Sequence, residues 1–181
     1  MSGRGVTWGW RAAYLGAAFL LYLVDQMTKA WAVRRLRLGE TVRVFGDFVQ
    51  FGYAENTGIA FGQLQEGGEF GRWMLAALAG LAVTGLLLYF FRTRRTDDRL
   101  LGALALLLAG VAGNLTDRVR FGHVVDFIEV FIGSYQWPTF NVADAAICTG
   151  AALLALDLIL EGREEGRRRK AEGGAEASAG G

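Results

Sequence analysis

Cysteine and histidine are almost absent from this chain of 181 residues: Cys148 and His123 are the only ones. No internal disulfide can form. A zinc site built from the usual nitrogen and sulfur ligands cannot be assembled within one chain either, so no metal or other cofactor is expected. Cys148 lies in an apolar run without a basic neighbour to lower its pKa, which reads as a small packing residue. Serine and histidine are too few for a nucleophilic triad, and the phosphate-loop signature is missing. Charge of one sign is also lacking, since the formal net charge is +1. Without a basic face that survives this balance, no nucleic-acid partner is expected.

What the chain has instead is long stretches without charge. It is 52% apolar and 20% charged with a mean hydropathy of +0.28, and the charges fall in clusters. This composition predicts a membrane protein rather than an average soluble one. Four spans follow from the runs: Trp10 to Val24, apolar apart from Arg11 and continuing through Lys29 and Ala30; Trp73 to Phe91; about Leu100 to Leu115, shorter and Gly/Ala-rich; and Ala143 to Leu160. A cleaved signal peptide is the alternative for the first run. It is disfavoured because Asp25-Gln26-Met27-Thr28-Lys29 follows where a small-residue cleavage site would stand.

Arginine density orients the spans. Arg92, Arg94, Arg95 and Arg99 crowd the short turn between the second and third, which places that turn and both termini in the cytoplasm. Segments 31–72 and 116–142 then lie outside, although Arg34, Arg35, Arg37 and Arg43 are unexpected there. Residues 162–181 are Gly, Ala, Glu and Arg apart from Lys170 and Ser178, which predicts a disordered cytoplasmic tail after a four-span unit over 1–161. In the first outer loop Val42, Val44, Phe48, Val49, Phe51 and Tyr53 surround the turn signal Gly46-Asp47. They predict a pair of strands at the membrane surface, which could hold an extended peptide by edge pairing or serve only as a packed cap.

Asp126 and Asp144 stand in GHVVDFIEV and FNVADAAIC, each within membrane-type sequence. An aspartate deep in a bilayer costs roughly 2.5 to 3.5 kcal/mol, so such residues usually mark function. Two carboxylates sharing one proton can activate water and protonate a leaving amine, which is the pair of tasks that peptide hydrolysis requires. Bland readings stand beside this one. Asn141 is a suitable N-cap with Asp144 in the first helical turn, and Asp126 could pair with Arg118 or Arg120. Asp117 is the competing acid, but being adjacent to Arg118 it reads more easily as a paired structural charge. Asn56 and Asn114 could hold a peptide's carbonyl and N–H or simply form turns. Asp25 and Lys29, at i and i+4, can neutralise each other and read as a structural pair. A proton or ion carrier is the rival function, because paired intramembrane acids also serve relays; a non-enzymatic scaffold is another.

Five blocks in order carry a resemblance: Asp25-Gln26-Met27-Thr28-Lys29; Asn56-Thr57-Gly58-Ile59-Ala60-Phe61; Gly113-Asn114-Leu115-Thr116-Asp117-Arg118; Val124-Val125-Asp126-Phe127; and Phe140-Asn141-Val142-Ala143-Asp144-Ala145-Ala146-Ile147. Together they resemble the lipoprotein signal peptidases, or signal peptidase II, over roughly residues 12 to 160. The resemblance implies a mostly helical membrane fold: four transmembrane helices, an outer β-cradle (about 38–62 here) and a short interfacial helix or flap. It also implies an aspartic endopeptidase of the bacterial inner membrane, cutting prolipoproteins before a diacylglyceryl-modified cysteine. By motif, the catalytic pair falls on Asp126 and Asp144, substrate-lining positions on Asn56, Asn114, Arg118 and Asn141, and support on Asp25 and Lys29. Ile59 departs from the family, where alanine is common. The expected partners are the lipid-modified precursor and membrane lipids, with the chain acting as a monomer and its site near the outer face.

Overall fold

The computed structural model describes residues 8–37, 39–58, 68–93 and 97–179, in backbone only beyond Arg167. Four helices dominate: α1 (Trp8–Leu36), α2 (Gly68–Arg92), α3 (Asp98–Phe121) and α4 (Val142–Ala179). Four strands form one antiparallel sheet in chain order: β1 (Val42–Phe45), β2 (Val49–Asn56), β3 (Val124–Ile132) and β4 (Tyr135–Gln136). The chain is thus mostly helical with a small sheet. Three helical stretches, Glu69–Arg92, Asp98–Phe121 and Val142–Arg167, are long and apolar enough to cross a membrane. α1 carries more charge along its length. Several of those charges are met inside the fold, among them Arg11, which donates to Phe90 O at 2.6 Å and Thr93 O at 2.5 Å, satisfying carbonyls at the end of α2.

α3 is the central helix and packs against α1, α2 and α4. Its Leu100, Leu101 and Leu104 are buried with Phe90 of α2, and its Ala105 and Ala109 with Ala18 of α1. Outward, Phe19, Leu20, Leu78, Leu81, Leu88 and Leu158 remain exposed, the kind of apolar perimeter that a bilayer covers. Close approach of α3 to α1 needs Gly113, where an added Cβ would lie 2.5 Å from Asp25 Oδ2.

Every helix is longer than its apolar run suggests. α3 continues six residues past Leu115 because Asp117 and Arg118 turn inward to polar partners instead of ending it. Gly122 then stops it in the left-handed region at φ 86°, its N–H donating to Arg118 O, and the chain reverses into β3. α4 likewise runs on to Ala179, so residues 162–179 are helical where composition predicts a disordered tail. Glu164 and Glu165 precede Arg168 and Arg169 by four positions, a spacing that supports helix.

The predicted hairpin of the first outer loop is present as β1 and β2, but β3 and β4 complete the sheet from a segment expected to be loop. Val124-Val125-Asp126-Phe127-Ile128 is rich in β-branched and aromatic residues, and it pairs with β2 in the register Ala54↔Asp126 and Asn56↔Val124. Trp31, Phe51 and Phe127 meet edge to face, with ring centroids 5.5 to 6.4 Å apart, and seat the sheet on the end of α1. No short helix occurs among the described residues; Ile59, Ala60 and Phe61, with the rest of 59–67, lie outside them.

Candidate active site

β3 supplies Asp126 and the start of α4 supplies Asp144. Phe140 and Ile128 exchange backbone hydrogen bonds of 3.1 and 2.8 Å, which delivers the next residue, Asn141, beside β3. Asn141 caps α4: its Oδ1 accepts from the Asp144 N–H at 2.9 Å, and Asp144 Oδ2 accepts from the Asn141 N–H at 3.2 Å. This reciprocal arrangement is a capping box with aspartate in place of glutamate. The amide of Asn141 remains free to reach across, and Nδ2 donates to Asp126 Oδ1 at 2.6 Å. One residue therefore links both carboxylates.

The remaining acceptors are also filled. Asn56 Nδ2 donates to Asp126 Oδ2 at 2.9 Å, while Asn56 Oδ1 holds the Gly58 N–H at 2.8 Å in an Asx turn. Asn114 Nδ2 donates to Asp144 Oδ1 at 2.7 Å. Behind Asn114, the buried Lys29 ammonium donates to Asn114 Oδ1 at 2.8 Å and pairs with Asp25 at 3.0 Å and Asp117 at 2.9 Å. Three donors thus meet three acceptors, which is the condition for keeping a lysine inside a protein. Asp25 also accepts the Ala143 N–H at 2.9 Å, so the same cluster fixes the first turn of α4.

Asp126 is 2% exposed and Asp144 half-buried, so only the second presents much surface to water. Burial, aided by the nearby charge of Asp144, pushes the Asp126 carboxyl from 3.8 up to about 6; the amides of Asn56 and Asn141 and the Lys29 charge oppose the rise. Arg118 lies in the field of Asp144, Asp117 and Asp126. Its Nη1 makes only a long bond of 3.4 Å to Asn114 O, and its buried Nε has no hydrogen-bond partner.

All eight residues singled out from the sequence, Asp126, Asp144, Asn56, Asn114, Arg118, Asn141, Asp25 and Lys29, converge here. Asp117 joins them differently from expectation. Its carboxylate pairs with Lys29 and accepts the Val125 N–H at 3.2 Å, rather than bonding its neighbour Arg118. Gln26 was missed: Nε2 bridges Asp25 at 3.2 Å, Asp117 at 3.1 Å and Gly113 O at 3.3 Å. Only its position next to Asp25 hinted at that.

The sequence model of the Signal peptidase (SPase) II family matches residues 17–160. The lipoprotein signal peptidase of Psychromonas ingrahamii is 39% identical over 154 residues, covering 84% of each chain. That of Pseudomonas syringae pv. tomato is 42% identical over 149 residues, 82% of this chain and 86% of its own. Among solved structures, a bacterial membrane enzyme determined by the in meso method at 1.9 Å superposes with a TM-score of 0.74 at 26% identity, covering 87% of this chain and 97% of that one.

Proposed function

The chain belongs to the signal peptidase II family, and from that premise we propose that Asp126 and Asp144 are its catalytic pair. The protein is a lipoprotein signal peptidase: a protease that removes the signal peptide from prolipoproteins. The observation that carries the assignment of the pair is Asn141, whose side chain holds Asp126 while its backbone holds Asp144.

Asp126, with its pKa near 6, is the carboxyl that keeps the shared proton. Asp144, nearer to solvent, takes the proton of the attacking water as Asp126 gives its own to the carbonyl oxygen; on collapse Asp144 passes the water's proton to the leaving amine and Asp126 regains one from the gem-diol hydroxyl. The exposed Asn56 and the Arg118 guanidinium flank the pair where the substrate backbone would lie, while Asn114 and Asn141 fix the carboxylates. Asp25 and Lys29 support Asn114 and the start of α4 from behind.

In our reading α1 is the fourth membrane span, with Asp25 and Lys29 neutralised within the bundle, and the sheet forms a cradle. Arg92 and Arg99 put the α2–α3 turn and both termini in the cytoplasm of a bacterial inner membrane. The dyad and the sheet share the opposite end of the helices, hence the outer face. There a diacylglyceryl-cysteine is anchored by its chains at headgroup depth, with its preceding bond presented to the pair. Both carboxylates come from one chain, which supports a monomeric unit over 1–161.

The test is cleavage of a diacylglyceryl-modified prolipoprotein beside its unlipidated form, with the cut site read by mass spectrometry. Wild type should cut only the modified form, immediately before the cysteine. Asp126→Asn and Asp144→Asn should each be folded and lose about a hundredfold or more in rate. Normal processing by either variant would overturn the dyad.

A further inference from the structure

Two cavities are lined by α1 and α3, the first reached also by Val83 of α2. The first, of about 380 Å³, is apolar and lies among Leu15, Phe19 and Tyr22 of α1 and Leu108, Ala112 and Thr116 of α3. The second, of about 220 Å³, lies nearer the sheet, with Gln26, Ala30 and Arg34 of α1 facing Asp117 and Arg120 of α3.

The residue spacing joins them into one groove. Tyr22, Gln26, Ala30 and Arg34 form a single i+4 row on α1, and Leu108, Ala112, Thr116 and Arg120 form the facing row on α3. One helical turn, about 6 Å, separates the apolar section from the charged one. The Tyr22 hydroxyl and Thr116 Oγ1, 3.3 Å apart, mark the boundary.

Charge at the upper end is unbalanced. Lys29 and Asp117 form its wall but satisfy each other and their neighbours. Arg34 and Arg120 are both exposed, and neither pairs with a carboxylate among the described residues; the Arg120 guanidinium only stacks over Phe121, 5.0 Å from the ring centroid. Two unpaired guanidiniums at the mouth of a cavity are a fitting receptor for a phosphate, which each can bind through paired donors. They stand at the end of an apolar trough, at the level where the helices give way to the sheet.

We propose that this groove binds an anionic glycerophospholipid, with its phosphate between Arg34 and Arg120 and one acyl chain lying past Tyr22 into the apolar section. Neither a free anion nor an uncharged lipid uses both halves. The site is distinct from the dyad: Val125 lines the charged cavity, and strand alternation points the adjacent Asp126 to the opposite face of β3. The site also gives Arg34 and Arg120 a role on the side where the density of cytoplasmic arginines leaves them unexplained.

The test uses delipidated full-length protein in an uncharged detergent and follows its unfolding midpoint during titration with dioleoyl-phosphatidylglycerol. Dioleoylglycerol and glycerol phosphate are the parallel probes. A saturable rise is expected with the phospholipid alone. In the Arg34→Gln/Arg120→Gln variant, whose changes are at exposed positions, half-saturation should need about ten times more lipid or more. Ala112→Leu, which narrows the apolar section and leaves both arginines, should weaken the response too. No response to the phospholipid, an equal response to dioleoylglycerol or glycerol phosphate, or an undiminished response in the double variant would overturn the proposal.

Discussion

Asn141 Nδ2 lies 2.6 Å from Asp126 Oδ1, and the same residue caps the helix that carries Asp144. The two duties can be separated, because serine caps helices as well as asparagine does but is too short to reach Asp126. Asn141→Ser keeps the cap but loses the buried amide's bonds to Asp126, Asn114 and Val125. It is therefore expected to be destabilised by about 1 to 3 kcal/mol, less than Asn141→Ala, while its folded fraction cleaves precursor at least about tenfold more slowly. Asn141→Ala should lose both cap and rate. Thermal unfolding paired with product quantified by mass spectrometry checks this; a fully active Asn141→Ser would show that the bridge is not needed for turnover.

The raised pKa of Asp126 makes stability depend on pH with a definite sign. Folding strengthens proton binding, so this group's contribution is fully present below 3.8 and is lost as pH rises through about 6. Compared with Asp126→Asn, wild type should therefore lose up to roughly 3 kcal/mol across that window, from a shift of about two units. Parallel unfolding titrations of the two proteins cancel the other titrating groups. Because the Asp144 charge helps raise this pKa, Asp144→Asn should move the Asp126 carboxyl band in the infrared to a lower midpoint. An unchanged or higher midpoint would mean that the two acids do not sense each other.

Asp117→Asn addresses the choice between acids. Asp117 is committed to Lys29, Gln26 and the Val125 N–H, and its hydrogen bonds do not reach the Asn141 bridge. An asparagine there keeps an acceptor but leaves the ammonium short of a counter-charge. The variant is expected to be destabilised by about 2 to 4 kcal/mol while retaining measurable turnover in its folded fraction. A well-folded Asp117→Asn as inactive as Asp126→Asn would move the acid role to Asp117.

How much of this site could be read from the chain depended on how far apart the partners lie. Asp25 and Lys29 are one helical turn apart, and Asn141 stands three residues before Asp144, so both relations follow from local spacing. The partner of Asp117 could not be found that way, because Lys29 comes from a different helix and the adjacent Arg118 is a decoy. Strand β3 shows a second limit. Its first four residues are all buried, with no polar alternation to separate strand from membrane-type sequence, so Asp126 was expected on a loop. The ends of α1 and α3 were missed for one reason: Arg34, Asp117 and Arg118 look like terminators in sequence, whereas in the fold both helices continue past them.

Lys29 tests whether the supporting cluster does more than hold the fold together. Its ammonium is 3% exposed and neutralises Asp25 and Asp117, so Lys29→Met leaves two carboxylates buried beside each other at a cost of about 3 to 5 kcal/mol. Adding Asp25→Asn removes one of the stranded charges and keeps an acceptor for the Ala143 N–H, so the double variant should recover part of that loss. Its activity should not recover in parallel. Asn114 Oδ1 has still lost the ammonium at 2.8 Å, which fixes the amide so that Nδ2 points at Asp144. The double variant is therefore expected to be more stable than Lys29→Met, though below wild type, with kcat still reduced about tenfold, read on the folded fraction after an unfolding titration. Recovery of stability and kcat together would reduce Lys29 to a structural counter-charge and break the proposed line of support from α1 through Asn114 to the carboxylate.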